Sequence, residues 1–319
     1  MMGIKKLVGV IALASMISGT PAMAAENTAE EIIPMVNDGT RIVINLASRG
    51  LYLLEKGVKT ALYPIACGKP STKTPVGYYK ISEKTVNPIW VDPHDSSNVV
   101  YSGEDNPLGY RWIGLKGYYG IHGTNNPASI GTYASLGCIR MFEADVEALY
   151  DKVAVGTPVD VFYNRVVVEK SPEDTVVYYI YPDAYGIQPL NVEQVNEWLR
   201  GYGVQCFESD ADIAEKINAS DGQPTYIAKS YNLILNGQTI DWKAVEQDGI
   251  FYLPVLQMAD ALGQPIYYER ETSIVRTGYG MASVNTFKNV LYINADDVEV
   301  LFHIRGGKQD NISMKYDSY

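Results

Sequence analysis

Apolar and polar residues alternate along much of residues 38–164, and this pattern predicts a mainly β domain. Residues 41–66 contain apolar runs separated by turn residues, which predicts two or three strands. Residues 87–111 are rich in Pro, Gly, Asn, Asp and Ser, which predicts long loops of the kind that often form binding surfaces. Residues 142–153 place apolar side chains at i, i+3, i+4 and i+7, so we expect one amphipathic helix, followed by a strand over residues 159–163.

A different pattern follows residue 164 and predicts a smaller α+β unit. An Asn236-Gly237 pair after an apolar run is a strong hairpin signal. We predict a linker with short helices over residues 165–225 and a second domain over residues 226–319. The helices predicted in this half are residues 191–200, 209–219 and 254–262, the last with Pro254 at its first position, and residues 265–304 are predicted as strands.

Residues 1–24 have the layout of a secretory signal peptide. Lys5 and Lys6 precede an apolar run that is short for a membrane span, and Ala22-Met23-Ala24 is a small-x-small cleavage pattern. The alternative is an uncleaved membrane anchor. We expect cleavage near Ala24 and a protein that is exported to the cell wall or the extracellular space.

Composition and charge limit the classes of partner. The chain has 319 residues, of which 46% are hydrophobic and 20% are charged, which is typical of a globular protein with about two domains. Cleavage after Ala24 would leave 24 Lys and Arg against 37 Asp and Glu, a net charge of −13. An acidic protein is repelled by nucleic acid, so we expect no nucleic-acid partner. The oligomeric state stays open.

Most of the cysteines and histidines have an ordinary structural explanation. Three cysteines are an odd number, and they allow three different single disulfides. Cys67 and Cys206 have no histidine nearby in sequence, so we expect small buried apolar residues there, with their redox state open. His303 stands between Phe302 and Ile304 on a predicted strand, where a structural role is favoured.

One pair is different. His122 and Cys138 lie sixteen residues apart in a turn-rich segment. An imidazole lowers the pKa of a thiol beside it, and the thiolate is the nucleophile. Gly137 permits a tight turn whose amides can stabilise an oxyanion, and Arg140 can hold a carboxylate or support developing negative charge. The Gly123 carbonyl can orient the imidazole. Without further Cys or His at ligand spacing, a zinc site is disfavoured, and we expect no metal.

At these residues the chain closely resembles the catalytic domain of L,D-transpeptidases, which are bacterial cell-wall enzymes. The resemblance covers residues 40–163, about 125 residues, and implies a β-sandwich-like barrel with one packed helix. The residues that carry it are Ile121-His122-Gly123-Thr124, Ser129-Ile130-Gly131, Ser135-x-Gly137-Cys138-Ile139-Arg140-Met141, Asp145 and Gly156-Thr157-Pro158-Val159, with Gly68-Lys69, Thr74-Pro75-x-Gly77, Asn87-Pro88-x-Trp90 and Asn106-Pro107-Leu108-Gly109 upstream.

The resemblance implies a two-step acyl transfer without metal or organic cofactor. Cys138 would attack the third residue of a peptidoglycan stem tetrapeptide, with His122 as general base and the Gly123 carbonyl as its orienting partner. D-Alanine would leave, and the amine of a second stem peptide would take the acyl group in a 3→3 cross-link.

The resemblance also implies roles within the cysteine motif. Amides near Gly137 and Cys138 would form the oxyanion hole, and Arg140 and Ser135 would support the substrate or the hole. One position departs from the family pattern, because the family often has a histidine between the serine and the glycine, where this chain has Leu136.

Two alternatives therefore stay open beside the transpeptidase. Water as acceptor would make the protein an L,D-carboxypeptidase that uses the same site. Loss of catalysis would leave a non-catalytic wall-binding protein.

The C-terminal part resembles a small domain named after the N-terminal region of copper amine oxidases. The matching features are Asn236-Gly237, Gly249-x-x-Tyr252-x-Pro254 and Ala261-Leu262-Gly263. One histidine cannot form a copper site, so the resemblance implies wall attachment or spacing rather than copper chemistry.

Overall fold

The computed structural model describes residues 39–319, which divide into two compact units. Of these residues, the first unit contains 39–165 together with Asp183–Gln188, and the second contains Val166–Pro182 and Pro189–Tyr319. Within the described residues, no helix is both long enough and apolar enough to cross a membrane. The expected signal peptide lies outside them.

The first unit is built from short strands and a ten-residue helix. Its elements are β1 (Thr40–Asn45), β2 (Gly50–Glu55), β3 (Val58–Pro64), β4 (Cys67–Gly68), β5 (Gly77–Lys80), β6 (Glu83–Val86), β7 (Trp90–Val91), β8 (Val99–Val100), β9 (Arg111–Lys116), β10 (Tyr119–His122), β11 (Tyr133–Ser135), β12 (Ile139–Arg140), α1 (Glu143–Lys152) and β13 (Pro158–Phe162), with a 3-10 turn at Pro127–Ser129.

Two sheets form the frame of this unit. A five-stranded sheet has the order β3-β2-β1-β13-β5, and a four-stranded sheet has the order β12-β10-β9-β6. Apolar side chains of both sheets share one core with Val146 and Leu149 of α1. The mainly β class and the late amphipathic helix are therefore confirmed, and α1 is one residue shorter at each end than predicted.

The central strand β1 shows why this sequence folds as a sheet. It pairs with β2 on one side and β13 on the other, and its last four residues are buried on both faces. Ile42 and Ile44 are fully buried in the core. Asn45 is also buried, and its side chain donates to the Asn164 carbonyl at 2.9 Å, so the polar group is satisfied.

The second unit combines a large sheet with short helices. Its elements are β14 (Val166–Lys170), β15 (Thr175–Ile180), α2 (Val192–Tyr202), α3 (Asp210–Ala219), β16 (Thr225–Leu235), β17 (Gln238–Gln247), β18 (Ile250–Pro254), α4 (Val255–Ala261), β19 (Tyr267–Glu269), β20 (Ile274–Arg276), β21 (Met281–Ser283), β22 (Asn285–Phe287), β23 (Val290–Asn294), α5 (Val298–Phe302), β24 (Ile304–Lys308) and β25 (Ser313–Ser318), with a 3-10 turn at Ala295–Asp297.

The prediction of a linker over residues 165–225 is corrected by this structure. Both predicted helices are present as α2 and α3, but β14 pairs with β15 and β15 pairs with β16, so the segment joins the large sheet. Val176, Val195 and Ile213 are fully buried in a core that includes Val245 of β17. The helices α2 and α3 separate β15 from β16, so the pairing of these two strands could not be read from local composition.

The hairpin and the helix boundaries of the second unit were also predicted. The Asn236-Gly237 turn between β16 and β17 is confirmed, with φ of 49° and 79° at its two residues. Pro254 ends β18 and directly precedes α4, so it is not the first helical residue.

Residues 265–304 are not all strand. Val298, Leu301 and Phe302 are buried at i, i+3 and i+4, and they belong to α5. The prediction that His303 lies on a strand is therefore wrong. His303 is the residue that caps the end of this helix, and it is exposed, with φ of 55°. A short helical run inside an alternating pattern is easily read as strand.

Cys67 and Cys206 fit the prediction of small buried residues. Both are buried, and both are free thiols in this structure, as is Cys138.

Candidate active site

The four-stranded sheet brings Cys138, His122 and Arg140 close together. In the parallel pair β10 and β12, His122 lies opposite Arg140 and Ile121 lies opposite Ile139. Side chains alternate between the faces of a strand, so the buried isoleucines point into the core and His122 and Arg140 point to the other face. Cys138 directly precedes β12, and its thiol lies near the Gly120 backbone and the Arg140 charge. The Arg140 charge also acts on His122, so Arg140 neighbours both the thiol and the imidazole.

The Cys138 thiol rests against the backbone of residues 118–120. Its Sγ donates to the Tyr118 carbonyl at 3.3 Å. Burial raises the pKa of the thiol, and a hydrogen bond from the Gly120 backbone and the Arg140 charge lower it only in part. A thiol with a raised pKa is protonated at neutral pH, so it needs a base in order to attack a carbonyl.

His122 is the candidate for that base. The side chain is only 4% exposed, and its Nδ1 lies 2.6 Å from the Gly123 carbonyl oxygen. A carbonyl only accepts, so Nδ1 carries the proton and Nε2 is left to accept one. Burial lowers the pKa of His122 to about 4, with the Gly123 hydrogen bond opposing this effect and the Arg140 charge adding to it. The imidazole is therefore neutral at pH 7.

Ser135 and Gly137 hold the turn before the cysteine. The buried Ser135 hydroxyl donates to the Cys138 carbonyl at 2.6 Å and accepts from the Gly137 N–H at 3.0 Å. Gly137 has φ of +126°, and a Cβ there would lie 2.5 Å from the Tyr119 ring. Its carbonyl accepts from the Thr74 hydroxyl at 2.8 Å. The Gly137 amide is thus occupied, which differs from its expected role as an oxyanion donor.

Arg140 is a half-buried cation at the centre of this face. Within residues 39–319, its guanidinium makes no hydrogen bond or ion pair, and its buried Nε is unsatisfied. Desolvation lowers its pKa, and the neighbouring Cys138 raises it. Guanidinium groups of this kind favour carboxylates and oxyanions. A thiol, a neutral imidazole and a cation close together are suited to nucleophilic attack on an acyl group beside an anion.

Leu136 lies on the surface beside this site. The side chain is 53% exposed, and Tyr118 and Tyr119 are also exposed. The residue between Ser135 and Gly137 therefore belongs to the rim of the site. The contact of the His122 imidazole with the backbone carbonyl after it is present despite the departure at Leu136.

Two residues near His122 were not predicted from the sequence to belong to the site. Trp112 lies opposite His122 across β9 and β10 and stacks on its ring, with centroids 5.8 Å apart. Its indole N–H donates to Glu83 at 3.0 Å. Glu143, the first residue of α1, bonds the backbone that follows Gly123. Strand register and chain packing bring both to the site, so spacing along the chain did not identify them.

Among residues 39–319, the His, Cys, Asp and Glu side chains nowhere form a group of three that could hold a metal ion.

Known proteins share the part of the chain that carries this site. The family model of the L,D-transpeptidase (YkuD) catalytic domain matches residues 39–161. The putative L,D-transpeptidase YkuD of Bacillus subtilis strain 168 is 35% identical over 158 residues, which cover 47% of this chain and 87% of that protein. The chain belongs to the L,D-transpeptidase family. The putative L,D-transpeptidase YqjB of the same organism is 36% identical over 124 residues, covering 37% of this chain and 68% of that protein.

Among solved structures, this L,D-transpeptidase family member is similar to an L,D-transpeptidase from Mycobacterium tuberculosis H37Rv. The sequence identity is 21% and the TM-score is 0.34, over 39% of this chain and 57% of that chain. The family match ends before β14, so the resemblance of residues 226–319 to a copper amine oxidase N-terminal-like domain stays a prediction.

Proposed function

We propose that this member of the family is an exported L,D-transpeptidase that forms 3→3 cross-links between peptidoglycan stem peptides through a Cys138 thioester. The observation that carries the proposal is the pairing of β10 with β12, which sets His122 opposite Arg140, whose charge also acts on the Cys138 thiol. Family membership supports the reaction class, and the residues support the chemistry.

In the first step, Cys138 Sγ attacks the carbonyl carbon of the third stem residue while His122 Nε2 takes the thiol proton. A tetrahedral oxyanion forms. The bond to D-alanine then breaks, and the proton passes from His122 to the departing amine. The products are free D-alanine and a thioester on Cys138.

In the second step, the side-chain amine of another stem peptide attacks the thioester. Its proton passes to His122, the new amide forms, and the thiolate leaves and recovers the proton. Water in place of the amine would release a tripeptide, which is the carboxypeptidase alternative. The same groups serve both reactions, so the acceptor decides the outcome.

Arg140 and the backbone of Cys138 have separate roles in this proposal. Because the Gly137 N–H is bound to Ser135, the Cys138 N–H is the backbone donor that we expect to face the oxyanion. We assign Arg140 to the terminal carboxylate of the donor peptide, since a half-buried guanidinium with an unsatisfied Nε favours a carboxylate partner. Ser135 maintains the turn that precedes both residues.

The test is mass spectrometry of the products. Residues 25–319, as wild type and as Cys138→Ala, are incubated with purified disaccharide-tetrapeptide. A dimer that lacks one D-alanine, made by wild type alone, supports the transpeptidase. A tripeptide alone supports the carboxypeptidase. The absence of both products and of any thioester mass would contradict catalysis and make Leu136 the first residue to examine.

Export and wall attachment belong to the same proposal. N-terminal sequencing of protein from the cell exterior should begin at Ala25, as cleavage after Ala24 requires. Sedimentation of Cys138→Ala with purified wall sacculi tests attachment without turnover. Binding of this variant, combined with no product from wild type, would favour the non-catalytic alternative.

A further inference from the structure

The carboxylate of Glu143 connects two loops beside His122. Oε1 accepts the Thr124 N–H at 2.6 Å, and Oε2 accepts the Tyr110 N–H at 3.1 Å. Glu143 is the first residue of α1, where an acidic side chain ordinarily interacts with its own helix. Here both carboxylate oxygens accept hydrogen bonds from backbone N–H groups outside the helix.

The contact with Thr124 leads directly to His122. The Thr124 N–H and the Gly123 carbonyl belong to the same peptide group. That carbonyl accepts from His122 Nδ1 at 2.6 Å. One peptide group therefore contacts a carboxylate through its N–H and an imidazole through its oxygen. Hydrogen bonds in such a chain polarise one another, so the negative charge makes the carbonyl a stronger acceptor.

Two glycines make room for the carboxylate. A Cβ at Gly123 would lie 2.0 Å from Glu143 Oε1, and a Cβ at Gly109 would lie 1.7 Å from the same atom. Gly109 also has φ of +63°, which disfavours other residues. Glycine at both positions thus permits the close approach of this side chain.

The loop on the far side of the carboxylate is itself anchored. The fully buried Asn106 donates to the Pro88 carbonyl at 2.8 Å and accepts the Leu108 N–H at 2.8 Å. The Gly109 N–H donates to the Asn106 carbonyl at 3.0 Å. Glu143 is therefore held between an anchored loop and the peptide after the histidine, which restricts the carboxylate to one position.

We propose that Glu143 is a positioning residue that acts on His122 through the Gly123–Thr124 peptide. It keeps Nδ1 protonated and oriented, and it stabilises the imidazolium that forms when the Cys138 proton is taken. The inference rests on the proposed function for its role in turnover, but the effect on the Cys138 and His122 pair exists without substrate.

The charged groups near His122 differ in whether they favour or disfavour protonation of its imidazole. Arg140 faces the imidazole from β12 and disfavours its protonation. The Cys138 thiol lies near the Arg140 charge and is neutral at rest. Glu83 on β6 is bound to the indole that stacks on the imidazole. Glu143, through the peptide, opposes the effect of Arg140 and favours the imidazolium.

The test is the rate of alkylation of Cys138 by iodoacetamide, followed by peptide mass across about pH 5 to 10, a range that spans the ordinary pKa values of His and Cys. We expect Glu143→Gln to lower the rate at neutral pH about tenfold and to move the midpoint of the profile to higher pH, because one charge-assisted hydrogen bond is lost. The His122 Nδ1 proton should shift upfield in the NMR spectrum, as its hydrogen bond weakens.

The matched control is Glu147→Gln, which removes the same charge one turn later on α1. Glu147 pairs with the Arg111 side chain at 3.2 Å rather than with the backbone after His122. The control should keep the wild-type profile. An unchanged profile and an unchanged Nδ1 signal in Glu143→Gln would overturn the proposal.

A second variant separates positioning from folding. Glutamine places its N–H₂ group against one of the two backbone N–H donors, whereas Glu143→Ala removes the acceptor of both donors. We expect the same direction of shift in both variants, with melting temperatures recorded in parallel. Loss of reactivity only in proportion to loss of fold would contradict the inference. Alkylation needs no peptidoglycan, so failure of the proposed transpeptidase reaction would be seen separately.

Discussion

Cys67 and Cys138 lie in the same unit of the protein, and their surroundings differ in ways that matter for chemistry. Cys67 is fully buried, with Sγ 3.8 Å from the Leu46 carbonyl oxygen and 3.9 Å from the Tyr185 hydroxyl. Burial raises the pKa of Cys67 to about 11. Cys138 also has a raised pKa, but it is partly exposed and lies near Arg140, the residue opposite His122. Burial disfavours the thiolate at both sites, so reactivity depends on a neighbouring base and on access.

Removal of the base should erase most of the difference between the two thiols. His122→Gln keeps an N–H donor for the Gly123 carbonyl but has no group that takes the thiol proton. We expect the rate of product formation to fall by about 10²–10⁴, the usual contribution of general base catalysis. Product analysis against wild type measures it. A much smaller loss would mean that another group activates Cys138.

The pH dependence of stability should reflect the buried, neutral state of His122. Its pKa in the fold is about 4, below its ordinary value of 6.5. Between these values the unfolded chain binds a proton that the folded site does not, so the free energy of unfolding should fall as pH is lowered. We expect a loss of about 3 kcal/mol from this residue between about pH 7 and pH 4.

Urea denaturation of wild type and His122→Gln across that pH range measures this effect. Other titrating groups contribute to both proteins, so the comparison isolates the histidine. Wild type should lose about 3 kcal/mol more than the variant on acidification. Parallel losses in the two proteins would show that the fold does not resist protonation of His122.

Substitution of Arg140, the cation beside Cys138, should have a more moderate effect on catalysis. Arg140→Gln should lower kcat/KM by about 10–100-fold, through loss of a charge-assisted contact to the donor carboxylate. Steady-state kinetics measure it. The control is Arg111→Gln, whose guanidinium pairs with Glu147 and whose Nε is likewise unsatisfied. Equal losses in both variants would argue for a structural role of Arg140 in place of substrate binding.

The buried thiol itself should matter least. Cys67→Ala should lower the free energy of unfolding by about 1 kcal/mol, because a small buried group is removed from a packed core. The rate of product formation should stay at the wild-type value. Urea denaturation and product analysis check the two statements, and loss of product with the fold intact would place Cys67 in the chemistry.

The candidate site was partly visible in the sequence. His122 and Cys138 belong to a motif in which a glycine adjoins each residue, and such a motif can be recognised without a fold. The role of Gly137 was predicted less well. Its N–H was expected to face an oxyanion, but the Ser135 hydroxyl accepts it, and the choice between these partners depends on the geometry of the turn.

Elements with a local signature were predicted best. The helix α1 repeats its apolar residues every three to four positions, and the hairpin after β16 contains an Asn-Gly pair that readily adopts positive φ. The strands β14 and β15 were missed, although they are neighbouring runs rich in valine that pair with each other as a hairpin. Their membership of the large sheet could not be read locally, because β15 pairs with β16 across the intervening helices α2 and α3.

The amino-acid sequence alone was enough to predict the candidate nucleophile and base, the mainly β class and the helix α1, because each depends on residues that are close along the chain. Which groups serve the site together could be learned only from the folded molecule. The pairing of β10 with β12 sets Arg140 opposite His122, and the packing of α1 brings Glu143 to the peptide after Gly123. Strand register and helix packing depend on the whole core, whereas a motif depends on its neighbours alone.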